Sequence, residues 1–173
     1  MTLEEIKKLS IKNAFDSTAP DQPVATLEEF LDTGKGNIGL FIELKGKMAD
    51  EKMVDDVVAM VRERKMVDQV ALLSLDYPLI QYIEKNYPEF LTGYLYFFSL
   101  GDIKKLEGDI LVMEEGEATK KKIDAIHKEG KQAIVWMVNE RVHQTLFVFG
   151  RGWGDRGGHR LSSSGKRGLP GGT

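Results

Sequence analysis

Glu43 and Lys45 are the residues best placed to do chemistry. They close the apolar run Ile38-Gly39-Leu40-Phe41-Ile42-Glu43-Leu44-Lys45. Positions two apart on a strand point to the same side, so carboxylate and ammonium share a face. At the C-terminal, inward end of a parallel barrel strand, a carboxylate can hold a divalent cation through oxygen and a lysine can meet a phosphate oxygen. Together they would clamp the charge of a phosphoryl transition state. A solvated Glu/Lys pair at a strand end is the plain alternative. Glu114 and Glu115 follow another apolar run, Ile110 to Met113, and also read as a solvated strand end or a site edge. The three histidines, His127, His143 and His159, stand in no acid–base setting, and His127 reads as a surface residue of a charged helix. There is no cysteine, which excludes disulfides, thiolate nucleophiles and Cys-ligated metals and fits a cytoplasmic location.

The elements that must position these groups alternate along the chain. Strands are predicted over 38–44, 70–75, 94–98, 110–113 and 133–138. Helices are predicted over 51–65, 78–87 and 119–130, with a short one over 101–106 and another starting at 140. In the first of these, Met53, Val54, Val57, Val58 and Val61 form one apolar face. Asp76 and Thr119 read as N-caps, and Pro78 suits a first turn. Short apolar strands alternating with amphipathic helices indicate a parallel sheet covered by helices, either open and doubly wound or part of a barrel. No glycine-rich nucleotide loop follows any strand.

Composition bounds the rest. The chain has 173 residues, 42% hydrophobic and 29% charged, with a formal net charge of −3. That is ordinary for a soluble domain and argues against a nucleic-acid or membrane-surface binder. The charge is uneven: residues 1–150 carry −7, from 19 basic against 26 acidic side chains, and residues 151–173 carry +4. The Gly/Arg/Ser-rich stretch 151–173 is too poor in large apolar residues to offset its ordering entropy and is expected to be disordered. It offers no aromatic after Trp153 for stacking on RNA. No signal peptide or membrane span is read in the chain.

The order of landmarks resembles the middle of glycerophosphodiester phosphodiesterases. Thr26-Leu27-Glu28-Glu29-Phe30-Leu31, a short gap, then Ile42-Glu43-Leu44-Lys45 is similar to one family stretch. Val70 to Leu75 and Gly93-Tyr94-Leu95 look like its next two strands. Ala125 to Lys131 resembles a helix-to-strand turn, and Val135-Trp136-Met137-Val138-Asn139 resembles a Trp-Thr-Val-Asn strand. The resemblance covers about residues 3–149. It implies a partial (β/α)8 barrel of about five parallel strands, the third to seventh, in residues 1–150. It implies a metal-dependent hydrolase that cleaves glycerophosphodiesters to sn-glycerol 3-phosphate and an alcohol. Glu43 would be one of three carboxylates on a Ca²⁺ or Mg²⁺ ion, Lys45 would contact the phosphate, and Trp136 would line the pocket near the glycerol end. Glu114 would also face that pocket. Trp136 as a core residue and Asn139 as a helix cap are the plain alternatives.

The family's first two strands, with a His-Arg pair, two acidic ligands and a second histidine, have no counterpart here. Weak metal binding and no useful turnover are therefore expected of this chain alone. A non-catalytic relative, binding phosphate-bearing ligands or a partner chain, is the second reading. Five strands leave open edges, so self-association is expected. The family's last strand resembles Gly-Val-Val-Thr-Asp-x-Pro. Codons for Arg156 to Ser162 read one nucleotide later can encode Gly-Val-Val-Thr-Asp-Tyr-Pro, which suggests a frameshift. The nucleotide sequence tests it.

Overall fold

The computed structural model describes residues 1–136, except 15, 17, 47, 48, 97–102 and the side chain of Lys104. The expected helix from 140, the ends of two predicted strands (97–98 and 137–138), Asn139, His143, His159 and the stretch 151–173 lie outside the described residues. The chain divides into two compact units, Met1–Ile38 and Gly39–Thr173.

The first unit begins with helix α1 (Leu3–Lys7) and continues through a two-stranded antiparallel pair, β1 (Ser10–Ile11) and β2 (Gln22–Pro23), to helix α2 (Leu27–Gly34). Both helices start with a capping box. In α2, Thr26 Oγ1 accepts the Glu29 N–H at 3.2 Å, and the Glu29 carboxylate accepts the Thr26 N–H at 2.8 Å. Each satisfies an N–H that the helix itself leaves unpaired. Lys7 ties the helices together, donating to Glu29 at 2.6 Å and to the Val24 carbonyl at 3.1 Å. The Lys7 bond, aided by the Thr26 N–H, holds the Glu29 carboxyl below its usual range.

The second unit is a parallel sheet with helices between its strands. It runs β3 (Leu40–Leu44), α3 (Glu51–Glu63), β4 (Val70–Ser74), α4 (Tyr77–Asn86), β5 (Leu91–Tyr96), β6 (Ile110–Glu114), α5 (Lys120–Lys128) and β7 (Gln132–Trp136). The strands lie in the order β3-β4-β5-β6-β7, each parallel to the next. An open doubly wound sheet reverses its strand order at a switch point. This sheet never does, which selects an arc of a barrel. The expected five-strand partial barrel is thus what forms, and the described strands do not close it.

Register gives the sheet two distinct faces. Leu40, Leu44, Val70, Leu72, Leu111 and Met113 point to the side on which Ile126 of α5 packs. The helices present matching stripes: Val54, Val57, Val58 and Val61 of α3 are buried, as are Leu79, Ile80 and Ile83 of α4. Fully burying a side chain of this size stabilises by about 1.5–3 kcal/mol. The opposite face carries Ala71, Leu73, Ile110 and Val112 as a second core, with Leu91, Leu95, Ile134 and Trp136 packed against it. Glu43 and Phe41 lie on this inner face in register with Leu73 and Ala71.

The N-terminal ends of the strands are pinned by polar groups. Thr92 and Asp109 exchange hydrogen bonds, Thr92 N–H to Asp109 Oδ2 at 3.1 Å and Asp109 N–H to Thr92 O at 3.0 Å. Lys131 Nζ donates to the Gly108 carbonyl at 2.8 Å and to that of Leu106. Burial pushes the Lys131 ammonium below its ordinary lysine value, while Asp109 and Glu84 pull the other way.

Several boundaries differ from the sequence reading. The first strand starts at Leu40, after a turn in which Gly36 takes φ +73°. Helix α3 stops at Glu63 because Lys65 adopts the left-handed region at φ +57°. The third strand begins at Leu91, three residues earlier than expected, and carries Gly93 in its interior. The described part of the short 101–106 helix is one 3₁₀ turn, Ile103–Lys105.

Candidate functional site

The C-terminal edge of the sheet collects the candidate residues. β3 delivers Glu43 to the inner face, and Lys45 follows directly after its last residue. Lys45 Nζ lies 3.8 Å from Glu43 Oε1, with Lys45 70% and Glu43 36% exposed. The shared face expected from their spacing is therefore real. Partly exposed pairs of this kind add at most about 1 kcal/mol to stability, so the pair is available for other partners. Gly46 then turns the chain away at φ +94°, a conformation that side chains rarely adopt.

Ser74, at the end of β4, organises this corner. The residue is 1% exposed, and its hydroxyl donates to the Leu44 carbonyl at 2.9 Å and accepts the Asp76 N–H at 3.0 Å. The carbonyl it holds lies between Glu43 and Lys45. Asp76 occupies the N-cap position of α4 as expected, but its side chain makes no capping bond. Reasoning from the sequence missed Ser74. The available signal was a single hydroxyl at the end of the otherwise apolar run Val70 to Leu75.

Glu114 and Trp136 meet at the other end of the arc as register partners on β6 and β7, on the same inner face as Glu43. Trp136 is half-buried and packs against the inner core, as both the pocket reading and the core reading require. Glu114 is half-buried and turned back on its own chain. Its carboxylate accepts the Gly116 N–H at 3.0 Å, capping the 3₁₀ turn Glu115–Glu117. From β3 to β6 there are three strand spacings, about 14 Å in all. Glu43 and Glu114 belong to no group of three potential metal ligands among the described residues.

Among the described residues, no three His, Cys, Asp or Glu side chains gather closely enough to hold a metal. Glu43 offers one carboxylate, and an ammonium stands beside it. Ca²⁺ takes six to eight oxygens, and Mg²⁺ takes six, usually one or two from carboxylates with the rest from water and phosphate. The described residues do not by themselves fit such an ion. Of the described histidines there is only His127, on α5. It is half-buried with Nε2 covered by protein, rather than the surface residue expected.

No protein-family model matches the sequence, and no curated protein matches it. Solved structures do. A Silicibacter pomeroyi protein described as a glycerophosphoryl diester phosphodiesterase superposes with a TM-score of 0.67 at 24% identity, over 83% of this chain and 59% of its own. A Parabacteroides distasonis glycerophosphodiester phosphodiesterase gives a TM-score of 0.61 at 24% identity, over 80% of this chain and 59% of its own. An Oleispira antarctica phosphodiesterase, solved with its product sn-glycerol 3-phosphate, gives 0.54 at 17%, over 72% and 53%. This chain thus spans about three-fifths of the length of these structures or less. No helix of the described residues is long and apolar enough to cross a membrane. The chain has the fold of the glycerophosphodiester phosphodiesterases, of whose barrel its sheet is a five-stranded arc.

Proposed function

We propose that this chain is part of a phosphoric diester hydrolase that cleaves glycerophosphodiesters to sn-glycerol 3-phosphate and an alcohol. The observation that carries the reading is the Glu43–Lys45 pair, 3.8 Å apart on the inner face of a barrel arc. Its position at the C-terminal strand ends is where barrel enzymes place their active sites. The complex of a fold relative with sn-glycerol 3-phosphate supports the substrate class.

In this reading Lys45 supplies the ammonium that meets a phosphate oxygen, and Trp136 forms an apolar wall toward the glycerol end. Glu114, held by the Gly116 N–H, contributes negative charge beside Trp136. The implied cofactor is a divalent cation, Ca²⁺ or Mg²⁺, which would neutralise developing charge on the phosphate. Glu43 is one ligand for it, and the remaining ligands have to come from outside the described residues. The same holds for a general acid and base, because His127 lies on α5 rather than at a strand end. The described residues alone are accordingly proposed to turn over no substrate.

A second reading, a non-catalytic relative that binds phosphate-bearing ligands or a partner chain, is favoured by the lack of a three-ligand cluster among the described residues. Glycerophosphocholine hydrolysis with Ca²⁺ or Mg²⁺ tests both. The first reading expects any turnover, in the chain or in a longer form containing it, to vanish in Glu43→Gln. Activity that survives the substitution would remove Glu43 from the site.

A further inference from the structure

We infer that Ser74 is a positioning residue for the Glu43–Lys45 pair, an inference that rests on the phosphate-contact reading of Lys45. Three observations lead there. The Ser74 hydroxyl is buried, yet it belongs to a strand whose other four residues are all apolar. It uses both its donor and an acceptor locally, on the Leu44 carbonyl and the Asp76 N–H. Leu44 separates the two candidate site residues, and Gly46 immediately afterwards has no side chain to fix the backbone.

Without the hydroxyl, the backbone leaving β3 has a left-handed glycine on one side and a buried carbonyl short of its donor on the other. Rotation of the Leu44–Lys45 peptide would swing the Lys45 stem off the inner face. The bond also crosses from β4 to β3, so it couples the turn that opens α4 to the end of the strand bearing Glu43. A bond made only to satisfy Ser74 itself would not need to reach this carbonyl.

The test uses the 173-residue chain, inorganic phosphate as the probe, and NMR of the Lys45 signals. Ser74→Ala removes both bonds, Ser74→Thr keeps the hydroxyl, and Ser74→Cys keeps the volume with only weak hydrogen bonding. The parent is expected to show phosphate-dependent shifts at Lys45. Ser74→Ala should weaken that response about tenfold and speed Asp76 amide exchange to a similar degree. Ser74→Thr should restore both, and protection of the Leu72 amide should not change. Should Ser74→Ala fail to fold, Ser74→Cys replaces it, with an intermediate loss expected. A parent response that Ser74→Ala or Ser74→Cys leaves intact would overturn the role of Ser74 alone. No response at Lys45 in the parent would overturn the phosphate reading and this inference with it.

Discussion

At the scale of single residues, the side chains divide into those that hold the sheet and those that are left at its edge. Leu72 is fully buried, and Leu72→Ala should cost about 2–5 kcal/mol in denaturant unfolding. Glu43→Gln should change stability by less than about 0.5 kcal/mol, because the carboxylate is partly exposed and its ion pair is a surface one. A Glu43→Gln cost as large as that of Leu72→Ala would make Glu43 a structural residue. Tyr96 offers a pH test. Burial, with Glu117 and Tyr94 assisting, raises its phenol from 10.0 to about 12. A raised folded pKa contributes stability that is complete below the unfolded value and lost above it. The parent should therefore lose stability from about pH 10 to about pH 12. Asp55 raises the Tyr82 and Tyr87 phenols as well, so the reading is the difference from Tyr96→Phe, which should fall less steeply. Equal slopes would deny the buried phenol any part in the alkaline transition.

At the scale of elements, the strands were legible because apolar runs and amphipathic stripes have distinct periods. The valine stripe of α3 and the run Val70 to Ser74 lie where the pattern puts them. Boundaries were less legible where backbone conformation overrides composition. Lys65 takes a left-handed conformation without being glycine, so nothing in the local sequence marks the end of α3. Gly93 looks like a break but sits inside β5, since the space above it is filled by Leu73. A Cβ there would come within 2.9 Å of Leu73 Cγ, so Gly93→Ala should cost about 1–3 kcal/mol. A neutral result in thermal unfolding would mean that Leu73 moves aside freely. Thr26→Ala should remove a capping bond of α2 at a cost of about 0.5–2 kcal/mol, read as lost helicity and a lower unfolding midpoint. The Glu43–Lys45 pair was readable for the same reason as the strands, since parity fixes which side each residue faces. Glu114 was half-readable: its strand and face are as expected, but its bond to Gly116 depends on a 3₁₀ turn with no periodic signal. The lone hydroxyl of Ser74 was visible in the run Val70 to Leu75, but its partner was not, because a hydroxyl bonding across strands has no characteristic spacing.

At the scale of the whole molecule, the strictly sequential parallel order decides between an open sheet and a barrel arc, a choice that periodicity left undecided. Among the described strands, β3 and β7 each have one sheet neighbour. Outer strands of that kind favour pairing between chains, so the 173-residue protein is expected to self-associate in sedimentation experiments. A monomer with one sharp unfolding transition would contradict this. The chemistry proposed for this arc is a phosphate contact at Lys45 beside Glu43. The most direct measurement is an NMR titration of the chain with sn-glycerol 3-phosphate, comparing the parent with Lys45→Met. Shifts at Lys45 and Glu43 that disappear in the variant are expected. Shifts that persist in Lys45→Met, or that never involve the C-terminal end of β3, would contradict the proposed contact.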